Sequence, residues 1–160
     1  MPELTLRDGT PADINAMYEL DLLCFEKPFR FDFRSMRKYA THPDAIVLIA
    51  EVEGEFLGFI VVNPSRRKAL NSAYVTTLDV HPDFRRQGIA RMLIAEAERC
   101  ATDAGAVTMQ LHVFTGNAEA IRFYESLGYE QLLRTDDFYN TGLHALAYMK
   151  PLDPSVRIGL

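Results

Sequence analysis

The chain has 160 residues, of which 48% are hydrophobic, and a formal net charge of −5 at pH 7. That length is typical of one domain, which we expect over 1–160 with a core at about 4–150 and a short irregular tail. The acidic balance argues against nucleic acid or an anionic membrane as the main partner. The N-terminus lacks the apolar core of a signal peptide, and the longest apolar run, residues 45–50, is too short to span a bilayer. We therefore expect a soluble cytoplasmic protein with no metal site, in which Cys24 and Cys100 are buried thiols.

The first 68 residues alternate helical and strand patterns. The predicted elements are a strand over 4–7, helices over 10–24 and 32–41, strands over 45–51 and 55–62, and a basic loop over 63–68. Thr10 and Asp32 are typical helix N-caps, and Glu53-Gly54 is a hairpin signal. Gly58, inside the last of these strands, indicates either a bulge or a close backbone approach.

The loop between the two helices, residues 25–31, carries three phenylalanines and a proline. Apolar rings are uncommon in such a loop, and two interpretations stay open. Either the rings pack onto the core as a lid, or they form an aromatic wall for a substrate. On the second interpretation the substrate-binding residues are Phe25, Glu26, Pro28, Phe29 and, from a later segment, Tyr139.

The second half of the chain predicts four more strands and two more helices. The strands cover 73–80, 107–114, 129–134 and 144–150, and the helices run from about Gly88 to Gly105 and over 117–127. Strands that alternate with helices, with a hairpin at each end, predict an α/β protein with a mixed sheet.

The stretch from Leu78 to Ala90 reads as a strand, a basic turn and the start of a helix. The first turn of a helix has N–H groups without internal partners, and the helix dipole favours an anion there. Gly88 lets a ligand approach the backbone because it has no Cβ, and Arg85 and Arg86 add positive charge. The spacing excludes a P-loop, which needs Gly-Lys before Ser or Thr, and also the three-glycine dinucleotide fingerprint.

The hexamer Arg85-Arg86-Gln87-Gly88-Ile89-Ala90 resembles the acetyl-CoA signature of the GCN5-related N-acetyltransferases (GNAT). A second stretch, His112 to Tyr129, resembles the other signature of that family. The resemblance covers about 4–150 and implies the GNAT fold, a mixed and mostly antiparallel twisted sheet of six to seven strands with about four helices. It implies strands splayed at a cleft for acetyl-CoA, the cosubstrate. The cofactor-binding residues it implies are Leu78, Asp79, Val80, Arg85, Arg86, Gln87, Gly88, Ile89, Ala90, Asn117, Ala120, Phe123 and Tyr124.

The segment Asp137-Phe138-Tyr139 and Met149 resemble the branch of that family that acetylates protein N-termini, including the ribosomal-protein acetyltransferases. Bacterial ribosomal-protein enzymes usually carry Glu where this chain has His112, so the resemblance favours a mechanism based on Tyr and His. It implies that His112 accepts a proton, that Tyr74 holds the water between the two side chains, and that Tyr124 is the acid near the sulfur.

Three functions are consistent with these residues. The leading hypothesis is an acetyl-CoA-dependent N-acetyltransferase that acts on the α-amino group of a peptide or protein N-terminus. The second is the same enzyme acting on a small amine, such as a polyamine, an amino acid or a drug. The third is a non-catalytic acyl-CoA-binding module or partner subunit, which the presence of His112 and Tyr124 disfavours. The sequence leaves monomer and homodimer open.

Overall fold

A computed structural model of the chain describes residues 3–67, 70–139 and 142–153, without the side chains of residues 66, 67 and 70. Within these ranges the chain forms seven strands and four α-helices, in agreement with the predicted fold. In chain order they are β1 (Leu4–Asp8), α1 (Ile14–Cys24), α2 (Phe33–Ala40), β2 (Ile46–Val52), β3 (Glu55–Arg67), β4 (Leu70–Val80), α3 (Ile89–Asp103), β5 (Thr108–Phe114), α4 (Ala118–Ser126), β6 (Glu130–Thr135) and β7 (Ala145–Pro151).

The starts of the first two helices follow from short polar side chains. Asp32 Oδ1 accepts a hydrogen bond from the Ser35 N–H at 2.7 Å, which caps α2 as predicted. The helix predicted to begin at Thr10 begins instead as a 3₁₀ turn, and α1 proper begins at Ile14. The Asp13 carboxylate accepts from the Thr10 N–H at 2.7 Å and holds that turn.

The seven strands form one sheet in the order β1-β2-β3-β4-β5-β7-β6. Neighbours are antiparallel except β4 and β5, which are parallel. The β4–β5 pairing joins only Ser72–Tyr74 to Thr108–Gln110. Beyond those residues the two strands have no ladder between them, so the predicted splay lies at the centre of the sheet.

Gly58 satisfies both interpretations of a glycine within a strand. The register between β2 and β3 shifts between Ala50 and Glu51, directly opposite Gly58. A Cβ at this position would lie 2.8 Å from the Asp79 carbonyl oxygen on β4. The bulge and the close approach therefore occur together, and they bring the end of β4 tightly against β3.

The predicted basic loop over 63–68 is wrong for the residues that the structure describes. Residues 63–67 continue β3 and pair with the start of β4, from Asn63 opposite Tyr74 to Arg67 opposite Leu70, while Lys68 lies outside the described residues. Pro64 is tolerated because the pairing of β2 with β3 ends at Val62, which leaves β3 with a partner on only one side. The cross-strand ladder outweighs the turn-like composition of this segment.

Alternate residues of the central strands bury two separate apolar layers. One layer packs Leu48 and Ile60 with the inward face of α3, which includes Leu93. The other packs Ile49 and Phe59 with the helices α1 and α2. Since neighbours along a strand point to opposite faces, the sheet is covered by helices on both sides.

The described ranges also bear on the cysteines, on metal ligands and on membrane spans. Cys24 and Cys100 are free thiols that are each only partly buried, less than the sequence predicts. Among the described residues, no three His, Cys, Asp or Glu side chains are grouped to hold a metal ion. No helix in those ranges combines the length and the apolar character that crossing a membrane requires.

Candidate functional site

A cavity of about 1420 Å³ opens where β4 and β5 diverge. It is bounded by these two strands, the first turns of α3 and α4, the loop after α1, and the segment before β7. Every predicted site residue lines this cavity except two, Glu26 and Gln87, which are exposed outside it. Asp79 is among the lining residues although it is only 1% exposed.

The end of β4 presents backbone groups to the cleft. The His81 N–H donates to the Leu57 carbonyl of β3 at 2.8 Å. Backbone groups alternate sides along a strand, so those of Val80 face away from β3 and toward the gap left by β5. The Val80 carbonyl accepts from Cys24 Sγ at 3.3 Å and from Arg85 Nε at 3.2 Å, which leaves its N–H directed at the cleft.

The start of α3 has the backbone geometry that favours an anion. Gly88 is its N-cap with φ +82°, and Arg86 also has a positive φ of 64°. The first hydrogen bond of the helix runs from the Met92 N–H to the Gly88 carbonyl, so the N–H groups of residues 89–91 have no partner within the helix. A Cβ at residue 88 would meet no protein atom within 4 Å. The space beside it is therefore open to a ligand, and the exposed Arg85 and Arg86 flank it.

Tyr74 and His112 meet across the diverging strands. The Tyr74 hydroxyl lies 2.8 Å from His112 Nδ1, so the contact is direct and not bridged by the water expected from the sequence. Burial, and then the neighbouring Tyr139 and Tyr39, raise the pKa of Tyr74 to about 12. The phenol thus keeps its proton at neutral pH and can donate it to the imidazole.

Tyr124 lies on α4, whose first turn is capped by Asn117 Oδ1 accepting from the Ala120 N–H at 3.1 Å. Its ring packs edge-on against Phe123 and Tyr129. Burial, followed by the charges of Asp79 and Tyr74, raises the pKa of Tyr124 well above its usual value. The phenol is therefore a proton donor at neutral pH, as its predicted role requires.

Four aromatic rings, Phe29, Phe114, Phe138 and Tyr139, form what we call the aromatic wall. The Phe29 ring lies 5.0 Å from Phe114 and 4.8 Å from Tyr139, between ring centroids. Phe138 stacks on His112 at 4.3 Å with an interplanar angle of 18°. The wall joins the loop after α1, the end of β5 and the segment before β7, and it ends against the Tyr74–His112 pair.

Both interpretations of the phenylalanine loop hold, since Phe25, Phe29 and Phe31 all line the cavity and Phe31 also packs on the core. Phe31 packs against the apolar layer beneath α1 and α2, and its ring meets Tyr39 edge-on at 5.8 Å. Phe29 belongs to the aromatic wall, and Phe25 lines the cavity. The loop is both a cover on the core and a wall of the cavity.

Several residues of the site escaped the sequence analysis. Phe114 is the last residue of the strand predicted over 107–114, and nothing local marks it as part of a wall. Asn63, which falls in the segment predicted as a loop, donates to the Tyr39 carbonyl at 2.9 Å and accepts from Thr76 Oγ1. Asp21 does carry a signal, since an acid within the apolar run of α1 indicates a buried polar contact.

Such a cleft suits the transfer of a group from a phosphate-bearing carrier, and comparisons with known proteins identify both the group and the carrier. The family model described as acetyltransferase (GNAT) family matches residues 14–129. An acetyltransferase from Pectobacterium atrosepticum is 33% identical over 124 residues, which cover 78% of this chain and 83% of that protein.

Solved structures with the same fold include an N-acetyltransferase and a protein solved with acetyl-CoA. The ribosomal-protein-S18-alanine N-acetyltransferase from Escherichia coli has a TM-score of 0.83 at 20% identity, with 99% of each chain covered. NAA60 from Arabidopsis thaliana, solved with acetyl-CoA, has a TM-score of 0.81 at 20% identity, covering 93% of this chain and 98% of that one.

The chain belongs to the acetyltransferase (GNAT) family, as its two signature stretches predict. It is an acetyl-CoA-dependent N-acetyltransferase, and the interpretation as a non-catalytic module is not retained. The open cradle at Gly88 agrees with the pyrophosphate of such a cosubstrate, since it offers free N–H groups, two arginines and room for close approach.

Proposed function

We propose that this acetyltransferase acts on the α-amino group of a peptide or protein N-terminus. The observation that carries the proposal is the Tyr74–His112 hydrogen bond of 2.8 Å at the edge of the aromatic wall. This geometry supplies a proton acceptor of moderate strength next to an apolar surface. The Escherichia coli and Arabidopsis relatives named above lend support through their shared fold.

The strength of the base favours an α-amine over a lysine side chain. An α-amino group has a reference pKa of about 7.7–8.0 and a lysine about 10.4, so at pH 7 the lysine costs roughly 3 kcal/mol more to deprotonate. An imidazole has a reference pKa near 6.5, so as a base it suits the α-amine better than the lysine side chain.

We assign the cofactor side to the end of β4 and the start of α3. Acetyl-CoA supplies the acetyl group as a thioester. The N–H groups of residues 86–90, with the Arg85 and Arg86 side chains, are proposed to hold its pyrophosphate, and the Val80 N–H to donate to its thioester oxygen. Asn117, Ala120 and Phe123 form the opposite wall of the cavity.

Residues of this chain can carry out each proton transfer that the reaction requires. The amine gives a proton to the Tyr74 oxygen while the Tyr74 O–H proton passes to His112 Nδ1. The amine nitrogen forms a bond to the acetyl carbon, and the carbon–sulfur bond breaks. Tyr124 O–H donates its proton to the departing sulfur. His112 then releases the proton that it holds to solvent, and Tyr124 regains one from solvent.

The acceptor is tested with a panel of short peptides that differ in their first two residues. Free lysine, spermidine and a peptide with a blocked N-terminus and an internal lysine serve as competitors. We expect transfer to free N-termini, with a preference for an apolar or small first residue set by the aromatic wall. Faster transfer to spermidine or to the blocked peptide would overturn the proposal in favour of a small amine or a lysine side chain.

A further inference from the structure

Two buried acids beside the cleft take no part in the chemistry above. Asp21 on α1 is 0% exposed, and Asp79 near the end of β4 is 1% exposed. A buried carboxyl group is costly unless its oxygens find hydrogen-bond donors or it carries a proton. The partners of each oxygen therefore decide what these two groups do.

Each acid uses one oxygen in an ordinary hydrogen bond. Asp21 Oδ2 accepts from the Phe31 backbone N–H at 2.7 Å, and Asp79 Oδ1 accepts from Thr77 Oγ1. Within the described residues the other two oxygens, Asp21 Oδ1 and Asp79 Oδ2, have no donor. The two side chains lie within hydrogen-bonding reach of each other, and two carboxyl groups can bond only if one of them carries a proton.

The surroundings favour a protonated Asp79. The other titratable groups that face it are Cys24 from α1, Arg85 from the turn after β4 and Tyr124 from α4. Burial first, and then Asp21, raise the pKa of Asp79 well above its usual range. Thr77 and Arg85 act in the opposite direction and offset only part of this shift.

We infer that Asp21 and Asp79 share one proton, with Asp79 Oδ2–H donating to Asp21 Oδ1, and that this acid pair ties the loop after α1 to strand β4. The tie runs from Thr77 through the two acids to the Phe31 N–H. It joins the loop after α1 to β4 through two buried carboxyl groups.

The acid pair links the two halves of the active site. The loop that it holds carries Phe29 of the aromatic wall, and the strand carries Tyr74 and Val80. Asp21 and Asp79 are therefore positioning residues for acetyl transfer, because they set the aromatic wall relative to the groups that meet the amine and the thioester. The inference concerns the placement of the loop and not the identity of the amine.

The shared proton is tested directly by carbon-13 NMR of the aspartate carboxyl carbons during a pH titration. We expect one resonance, absent from Asp79→Asn, to stay protonated at neutral pH. Asp32 is the matched reference, because the Ser35 N–H bonds to it and its exposed carboxyl group has a lowered pKa. An Asp79 resonance that titrates together with the exposed aspartates would overturn the inference.

The unfolding free energy in urea, measured as a function of pH, gives a second test of the shared proton. Because the folded state raises the pKa of Asp79, its contribution to stability is complete below the usual aspartate pKa and is lost as pH rises through the folded value. The unfolding free energy of the parent should therefore fall relative to that of Asp79→Asn as pH rises. Parallel pH curves for the two proteins contradict a shared proton.

The tie to the loop is tested by hydrogen exchange at the Phe31 amide. Asp79→Asn keeps an N–H donor for Asp21 and should preserve protection, whereas Asp79→Leu should speed exchange at Phe31 by at least about tenfold. The Ser35 amide, bonded to Asp32 at the same 2.7 Å, is the internal control and should not change. Unchanged exchange at Phe31 in Asp79→Leu would refute the tie, and if that variant does not fold, Asp21→Ala with rescue by Asp21→Asn decides.

Kinetics connects the acid pair to the reaction. With whichever amine the enzyme accepts, Asp79→Leu should raise the acceptor KM more than it lowers kcat, and Asp79→Asn should restore it. Affinity for acetyl-CoA should change less than the acceptor KM does in both variants. If N-terminal peptides are not acetylated, the proposed function fails, while the NMR and exchange experiments still decide the acid pair.

Discussion

The two ends of the cleft are built in different ways. The proposed cofactor end, residues 78–90, is a continuous stretch of chain that offers backbone N–H donors at Val80 and at the first turn of α3. The proposed acceptor end is the aromatic wall, whose side chains come from three segments far apart in sequence. A ligand common to a whole family can be held by backbone geometry, whereas the surface that chooses an acceptor is made of side chains that are free to vary.

The largest effect is expected where the two ends meet. His112→Ala should lower kcat by about 10²–10⁴, the usual range for the loss of a general base, with little change in acetyl-CoA affinity. His42→Ala, a histidine remote from the cleft whose Nδ1 accepts from the Asp44 N–H, is the control. A pH profile of kcat/KM whose acid limb persists in the His112 variant would remove this residue from the role.

At the cofactor end, Gly88→Val should raise the Kd for acetyl-CoA by roughly 10- to 100-fold, which corresponds to about 1–3 kcal/mol of strain and lost approach. Gly54→Val is a matched control, since Gly54 has φ +80° and open space around it but lies in the β2–β3 turn. Both variants should lose some stability, as calorimetric unfolding can measure. Only the Gly88 variant should lose acetyl-CoA in titration calorimetry, and equal binding would place the cradle elsewhere.

At the acceptor end, Tyr139→Ala should raise the acceptor KM by about 3- to 10-fold, because an aromatic pair contributes about 0.5–1.5 kcal/mol beyond its buried area. Acetyl-CoA affinity should not change, in contrast to Gly88→Val. Tyr18→Ala is the control, because it removes an edge-on ring pair with Phe33 at 5.5 Å that lies outside the cavity. It measures the effect of losing an aromatic contact elsewhere in the fold. A KM shift of the same size in both variants would deny the aromatic wall a role in binding.

The smallest effect is expected far from both ends, at the ion pair of Arg7 with Asp13. Hydrogen bonds from Arg7, the closest at 2.7 Å, lower the pKa of Asp13 to about 2. A lowered folded-state pKa gives stability that is present above the usual value near 3.8 and lost as pH falls through about 2. Asp13→Asn should lower the unfolding free energy by about 1 kcal/mol at pH 7. It should also make the urea unfolding midpoint less dependent on pH over this acidic range, with kcat unchanged. Equal acid sensitivity in parent and variant would exclude Asp13 as the cause.

Sequence reasoning was most successful where interactions are local. The capping of α2 by Asp32, the turn at Gly54 and the strand, turn and helix around Gly88 each depend on residues within a few positions of one another. It failed over 63–67, where polar residues and Pro64 resemble a loop but β4 supplies a partner strand. A cross-strand ladder depends on distant residues, and composition does not reveal it.

The candidate site was predicted as a set of residues more fully than as an arrangement. The sequence named Tyr74, His112 and Tyr124, but it placed a water between the first two, which the side chains bridge directly at 2.8 Å. It named Tyr139 and Phe29 without Phe114, which completes the wall only because β5 ends beside the loop after α1. Ring contacts of this kind follow from strand register and loop path.

The sequence by itself determined the family, the cosubstrate and the helix N-terminus at Gly88, since a contiguous signature fixes local backbone geometry. The tertiary structure alone decided the splay of β4 from β5, the aromatic wall and the Asp21–Asp79 contact. Each of these joins segments separated by tens of residues. Their geometry is set by the sheet order and by packing against α1, which no local pattern encodes.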